Sequence, residues 1–263
     1  MSTVLARPLP MRPEPSSGVQ HPGLHPAERA GVESGTWFSG LSLELRQAIL
    51  ARARVRHVHR GVLIMRRGSH AADWVGVASG ALRLGTDLAD GRSFTLDLLG
   101  PGDWYGDIEL MDRGTTQLDI RAHMNSTLLL VSRQDLTTLV QSTPELHQAL
   151  LLLDCRRLRH MLRRMEELQT LPLGQRVAQQ LLRLCRQFGR GTDEGLHIEL
   201  TLSQTDLATL LCASRQRING VLRRMQALGM VQCAHSRITV LDRPRMQQVA
   251  EGRELVTSEP LRS

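Results

Sequence analysis

LTLSQTDLATLLCASRQRINGVLRRMQAL, residues 200–228, is the stretch that decides the fold. Its spacing predicts two short helices meeting at a sharp turn. Ser203 is placed to cap the first, and Asp206 puts an acid in its first turn, where the helix dipole favours one. Leu207, Leu210 and Leu211 form an apolar stripe at helical spacing. After the break at Cys212-Ala213, Ser214 can cap the second helix. There Ile218, Val221, Leu222, Met225 and Leu228 point inward, leaving Arg215, Gln216, Asn219 and Arg223 on the opposite face. Any two-helix hairpin could share this stripe, so the flanks are decisive. Gly229 stops the second helix. Met230 to Cys233 and Arg237 to Leu241 then read as two strands around the turn His235-Ser236, and Leu196 to Leu200 alternates like a third. A helix-turn-helix followed by a hairpin is a winged helix, whose second helix carries the residue types that read base edges.

Length and charge agree with that reading. The 263 residues leave room for about two domains. Net charge is +7, and all 33 basic residues are arginine, which suits a polyanionic partner. Cys155, Cys185, Cys212 and Cys233 lie far apart without a C-x-x-C pair, so neither a disulfide framework nor a zinc module is expected. No apolar run is long enough to span a membrane, and a cytoplasmic protein is expected. No nucleophile elbow, metal box or P-loop appears, so no enzyme is expected.

The chain divides by composition. Residues 1–35 hold six prolines and little that could bury, so a disordered arm is expected. Residues 36–142 open with a short helix capped by Ser42 and continue as short strands: Val62–Met65, Trp74–Val77, Ala81–Leu84, Ser93–Leu96, Leu118–Ala122 and Thr127–Val131. Asp90-Gly91 signals a hairpin between two of them. Regular short strands point to a β-barrel or a jelly-roll-like unit. Residues 143–170 read as one long helix, opened by a capping box from Ser142 to Glu145. Leu151, Leu158, Met161, Met165 and Leu168 approximate a dimer seam, while Leu146, Leu150 and Leu153 would face the roll. The winged helix takes 171–244, and 245–263 is expected to be a tail. The fold class is α+β.

A β-roll, a long dimer helix and a C-terminal winged helix, in that order, resemble the CRP/FNR superfamily of transcription regulators. Gly100-Pro101-Gly102-Asp103-Trp104-Tyr105-Gly106-Asp107 through Met111 looks like the family's phosphate-binding cassette, and Ile120-Arg121-Ala122 is similar to the strand after it. Arg176 to Leu182 resembles the helix that opens the DNA-binding domain. Leu202 to Ala208 and Ser214-Arg215-Gln216 resemble its helix-turn-helix. The resemblance implies a homodimer that binds a near-palindromic double-stranded operator, works with RNA polymerase and senses a small-molecule effector through a domain of the cyclic-nucleotide-binding type.

The departures bear on the effector. Cyclic-nucleotide binders of this family place an arginine against the buried phosphate, since a buried anion needs a charged partner. This chain has Thr115, Thr116 and Gln117 there, and Arg113 falls in the preceding turn. After Gly106, the acid that would grip the ribose is Asp107, shorter than the usual Glu. Met161 and Leu162 stand where adenine would meet hydroxyls. Cyclic AMP is therefore not the expected effector. An iron–sulfur cluster is not expected, because no cysteine precedes Cys155. Haem stays open without being indicated, since nothing selects among His57, His59, His70 and His123. An unknown, rather apolar small molecule and an empty, degenerate pocket both stay open too.

By the same resemblance, Arg215 would read a guanine, Gln216 would favour adenine, and Asn219 would share the base contacts. Ser203, Gln204, Ser214, Arg223, His235 and Arg237 would meet phosphates. Two alternatives use the same architecture: a cyclic-nucleotide-type module that regulates a protein partner, and a haem- or redox-responsive member of the superfamily.

Overall fold

The computed structural model describes residues 23–88, 91, 93–234 and 236–256. Helices α1 (Pro26–Ser34), α2 (Thr36–Ser39) and α3 (Leu43–Arg52) lead into the strands of a roll. These are β1 (Arg54–Val58), β2 (Leu63–Met65), β3 (Asp73–Ser79), β4 (Leu82–Asp87), β5 (Ser93–Leu99), β6 (Trp104–Tyr105), β7 (Asp119–Ala122) and β8 (Ser126–Ser132), with the short helix α4 (Asp107–Met111) between β6 and β7. Two antiparallel four-stranded sheets result, ordered β1-β8-β3-β6 and β2-β7-β4-β5. Helices α5 (Arg133–Ser142) and α6 (Pro144–Thr170) follow.

The C-terminal part contains α7 (Leu173–Phe188), β9 (Gly189–Thr192), β10 (Gly195–Ile198), α8 (Gln204–Leu210), α9 (Arg215–Ala227), β11 (Val231–Ala234), β12 (Arg237–Val240) and α10 (Arg243–Ala250). Its strands form a separate sheet, β11-β12-β10-β9.

Each part has its own apolar core. Inward-facing residues of the roll, among them Trp74, Leu82, Ile120, Leu128 and Leu129, pack with Leu45, Ile49, Leu146 and Leu150 from the helices. The second core gathers Val177, Leu181, Leu207, Ile218, Val221, Met225, Ile238 and Met246, and it takes in Ala81 and Leu98 from the roll. The two parts therefore share an apolar seam. Across it, the Thr95 and Thr209 hydroxyls are 3.0 Å apart, and His123 Nε2 is 2.8 Å from the Thr201 carbonyl.

Three expectations need correcting. The arm was expected over residues 1–35, of which 1–22 lie outside the described residues. Over Pro26–Ser34 the chain is helical: Pro26 occupies the first turn, where its missing N–H costs nothing. Val32 is buried, and Gly31 lies so close to the Ala78 carbonyl that a Cβ there would sit 2.4 Å from it. Beyond it, Phe38 stacks on Trp104 at 5.7 Å between centroids, and Trp104 lies 4.3 Å from Trp74.

The tail expected over 245–263 begins as helix. Asp242 caps α10 through the Arg245 N–H at 2.9 Å, and Met246, Val249 and Ala250 are buried at helical spacing. Residues 257–263 lie outside the described residues.

The capping box from Ser142 to Glu145 does not form. Ser142 ends α5, Thr143 precedes α6, and the Glu145 carboxylate instead accepts the Ser42 N–H and hydroxyl, each at 2.7 Å. Asp90 of the expected hairpin lies outside the described residues, although β4 and β5 pair antiparallel on either side.

Candidate nucleic-acid interface and sensory pocket

The helix-turn-helix is built largely as its residues imply. Ser203 Oγ accepts the Asp206 N–H at 3.1 Å, and Asp206 Oδ2 accepts the Ser203 N–H at 2.8 Å, a reciprocal cap on α8. The chain leaves α8 through Cys212 in the left-handed region (φ 48°), and Ser214 Oγ then accepts the Arg217 N–H at 3.3 Å to start α9. Ile218, Val221, Leu222 and Met225 are buried under α9.

Arg215, Gln216, Arg217 and Arg223 are exposed on α9. Among the described residues, the side chains of Arg215, Gln216 and Arg223 make no hydrogen bond or ion pair. A cavity of about 380 Å³ between α8, the start of α9 and the wing is lined by Ser203, Gln204, Thr205, Arg215, Ser236 and Arg237. It gathers residues expected at phosphate and base in one concave, polar surface. Asn219 behaves differently. It is half-buried, and its carbonyl accepts Gln204 Nε2 at 3.0 Å, so part of its hydrogen-bonding capacity is already used. The Ser203 and Ser214 hydroxyls are likewise engaged in caps. His235 lies outside the described residues.

Two matches fall on these parts of the chain. The Crp-like helix-turn-helix domain matches residues 175–249, and the cyclic nucleotide-binding domain matches residues 55–143. The chain belongs to the CRP/FNR family of transcriptional regulators. It is 26% identical over 228 residues to a CRP-like cAMP-activated global transcriptional regulator of Mycobacterium tuberculosis, covering 84% of this chain and 97% of that one. It is 29% identical over 215 residues to the cyclic AMP receptor protein of Thermus thermophilus, covering 82% and 96%. The structure of FixK2 from Bradyrhizobium japonicum shares the fold at a TM-score of 0.68 and 22% identity, over 75% of this chain and 96% of that one.

The candidate effector residues of the roll include Asp107. Gly106 has φ 99°, a conformation that favours glycine, and a Cβ there would meet Met65 Cε at 3.0 Å. That turn buries Asp107 completely. Its partner comes from α6. Arg157 Nη1 lies 2.8 Å and 3.0 Å from the two Asp107 oxygens and 2.8 Å from Asp154 Oδ1. Arg157 also donates to the Trp104 carbonyl, and its guanidinium sits 5.8 Å from the centre of the Tyr105 ring. Desolvation opposes the Arg157 charge, but Asp107 and Asp154 outweigh it and hold its pKa above the ordinary value. Desolvation, together with the nearby Asp107 charge, pushes Asp154 up to about 6.

The other pocket candidates scatter. Thr115 forms an isolated bridge with His70. Thr116 is buried and donates to the Leu118 carbonyl at 2.9 Å, whereas Gln117 is exposed and donates to the Thr115 carbonyl at 3.1 Å. Met161 and Leu162 are exposed on the outer face of α6. There Leu162 shares a stripe at alternating four- and three-residue spacing with Leu151, Cys155, Leu158 and Met165, all but the half-buried Cys155 exposed. Of the other residues expected at a seam, Met161 is exposed beside this stripe and Leu168 is half-buried.

Sequence reasoning assigned no role to Arg157 or Arg164 of α6. A signal was present. Leu146, Leu150, Leu153, Arg157, His160 and Arg164 continue one stripe at the same alternating spacing, and the leucines at its start already faced the roll.

Proposed function

We propose that this regulator acts as a homodimer on a near-palindromic operator, with an effector other than cyclic AMP. The observation that carries the reading is the pairing of two faces that its own fold leaves open. One is the polar face of α9, with Arg215, Gln216 and Arg223 unengaged; the other is the apolar stripe of α6. A second copy along α6 would bury the stripe and set two recognition helices about 34 Å apart. RNA polymerase is the proposed protein partner, because the relatives are transcriptional regulators, and the cytoplasm is the proposed place of action. Among the described residues, no helix is long and apolar enough to cross a membrane.

Three features support an effector other than cyclic AMP. No arginine stands at Thr115 to Gln117, the Asp107 carboxylate is already bound by Arg157, and the helix offers Met161 and Leu162 in place of hydroxyls. The two relatives described above are named for cyclic AMP, so the test sets the two outcomes against each other. Sedimentation of the purified protein is expected to give a dimer. Anisotropy on an operator selected from random duplexes is expected to show steeply salt-dependent binding that cyclic AMP leaves unchanged. A monomer, or binding that appears only with cyclic AMP, overturns the proposal.

A further inference from the structure

Arg164 is the one charged residue of α6 that is buried, at 7% exposure. Its Nη1 donates to Gln180 Oε1 of α7 at 2.8 Å, and its Nη2 donates to the Leu210 carbonyl at the end of α8 at 2.9 Å. Among the described residues it forms no ion pair. Glu167, one turn further along α6, is bound by both Nη groups of Arg183 at 2.9 Å and 2.8 Å. Desolvation therefore lowers the Arg164 pKa, although a guanidinium stays charged. Attraction to Asp97 and Glu167 offsets part of that cost, and the carbonyl end of α8, the negative pole of that helix, accepts one of its hydrogen bonds.

The next carbonyl is held in the same way from another direction. Arg176 of α7 donates Nη1 to the Leu211 carbonyl at 2.9 Å. The two carbonyls beside the turn into α9 thus each receive one guanidinium, from different helices. Among the described residues, Arg164 is the α6 side chain hydrogen-bonded to α8. Arg176, by contrast, works within the DNA-binding domain.

We propose that Arg164 is a positioning residue for DNA recognition, fixing the turn between α8 and α9 to the dimer helix. The proposal rests on the homodimeric reading above. Two recognition helices joined by a rigid path bind a two-part site with a high effective concentration for the second half, and this gain is lost when the path slackens. The rigid path here runs from α9 through the turn and α8 to Arg164, and so to α6 and its counterpart. Arg164 would thereby set the spacing between half-sites without touching DNA.

The test uses the full chain carrying Arg164→Met, Arg164→Lys or Arg176→Met. Each is measured on the operator selected by the parent, on its isolated half-site, and on operators with the spacer lengthened or shortened by one base pair. For Arg164→Met, affinity for the full operator is expected to fall about tenfold, with half-site binding and dimer mass unchanged and the preference among spacers flattened. Arg164→Lys, which can reach one of the two acceptors, is expected to fall between. Arg176→Met is expected to weaken half-site and full-site binding together. Full-operator affinity within about twofold of the parent, or the parent's spacer preference retained, overturns the proposal. So does equal loss on half-site and full site. If Arg164→Met loses its cooperative melt, Arg164→Lys decides, and an unchanged spacer preference in it overturns the proposal. A parent that selects no operator overturns the DNA reading itself, which keeps the two failures apart.

Discussion

Arg157 on α6 grips both oxygens of Asp107, a carboxylate with no exposure to solvent, and so joins the β-roll to the long helix through a charged contact. Removing one member of a buried ion pair leaves the other uncompensated, at about 3–5 kcal/mol. Arg157→Met is therefore expected to destabilise the protein by about that much in urea unfolding. Replacing both, as Arg157→Met with Asp107→Leu, is expected to restore much of the loss. A double variant as unstable as the single one would show that the contact stabilises by more than charge compensation.

A pH dependence follows from Asp103 in the same cassette. Desolvation raises its pKa from 3.8 to about 6, even though it accepts the Gly100 N–H at 2.8 Å and Gln187 Nε2 at 2.6 Å. Because the folded value lies above the unfolded one, the folded state holds the proton more tightly. The stability that this group contributes is complete below pH 3.8 and declines as pH rises to about 6. Asp103→Asn is expected to remove that decline. The check is the difference in unfolding free energy between parent and variant, measured across this range; a difference that does not change with pH defeats the assignment.

Arg215 begins α9 with its guanidinium exposed and unengaged. A bidentate contact to guanine is worth about 1–3 kcal/mol of discrimination. Arg215→Ala is expected to relax selection at one guanine in each half-site, leaving the other positions as sharp as before. Selection from random duplexes reads this directly. Asn219, with its carbonyl tied to Gln204, is expected to give a smaller change.

The helix-turn-helix could be read from sequence because its caps and stripe are local: Ser203, Asp206, Ser214 and Ile218 lie within about one turn of the partners that define them. The roll was legible for the same reason, since alternation along each strand is local. What failed depended on distant partners. Glu145 resembled half of a capping box, and it took Ser42 from far along the chain instead. Pro26 marked an arm by composition and started a helix held by Ala78 and Thr127. Arg157 and Arg164 continue the roll-facing leucine stripe of α6, but their acceptors, Asp107 and Leu210, lie on other elements, far along the chain.

The register of the α6 stripe distinguishes two neighbouring residues. Leu162 is 56% exposed and continues the spacing of Leu151, Leu158 and Met165, whereas Met161, at 43%, lies toward one edge. If a second copy packs along this stripe, Leu162 faces the axis and Met161 flanks it. A charge at the axis would meet its own copy across the seam in an apolar setting, where an unpaired charge is costly. Leu162→Arg is therefore expected to give a monomer by sedimentation. Its operator affinity should fall about a hundredfold, because each recognition helix then binds its half-site alone. Met161→Arg, with room to turn its head toward solvent, is expected to remain a dimer with operator affinity near the parent's. The reverse order, Met161→Arg monomeric and Leu162→Arg dimeric, would move the seam by one residue.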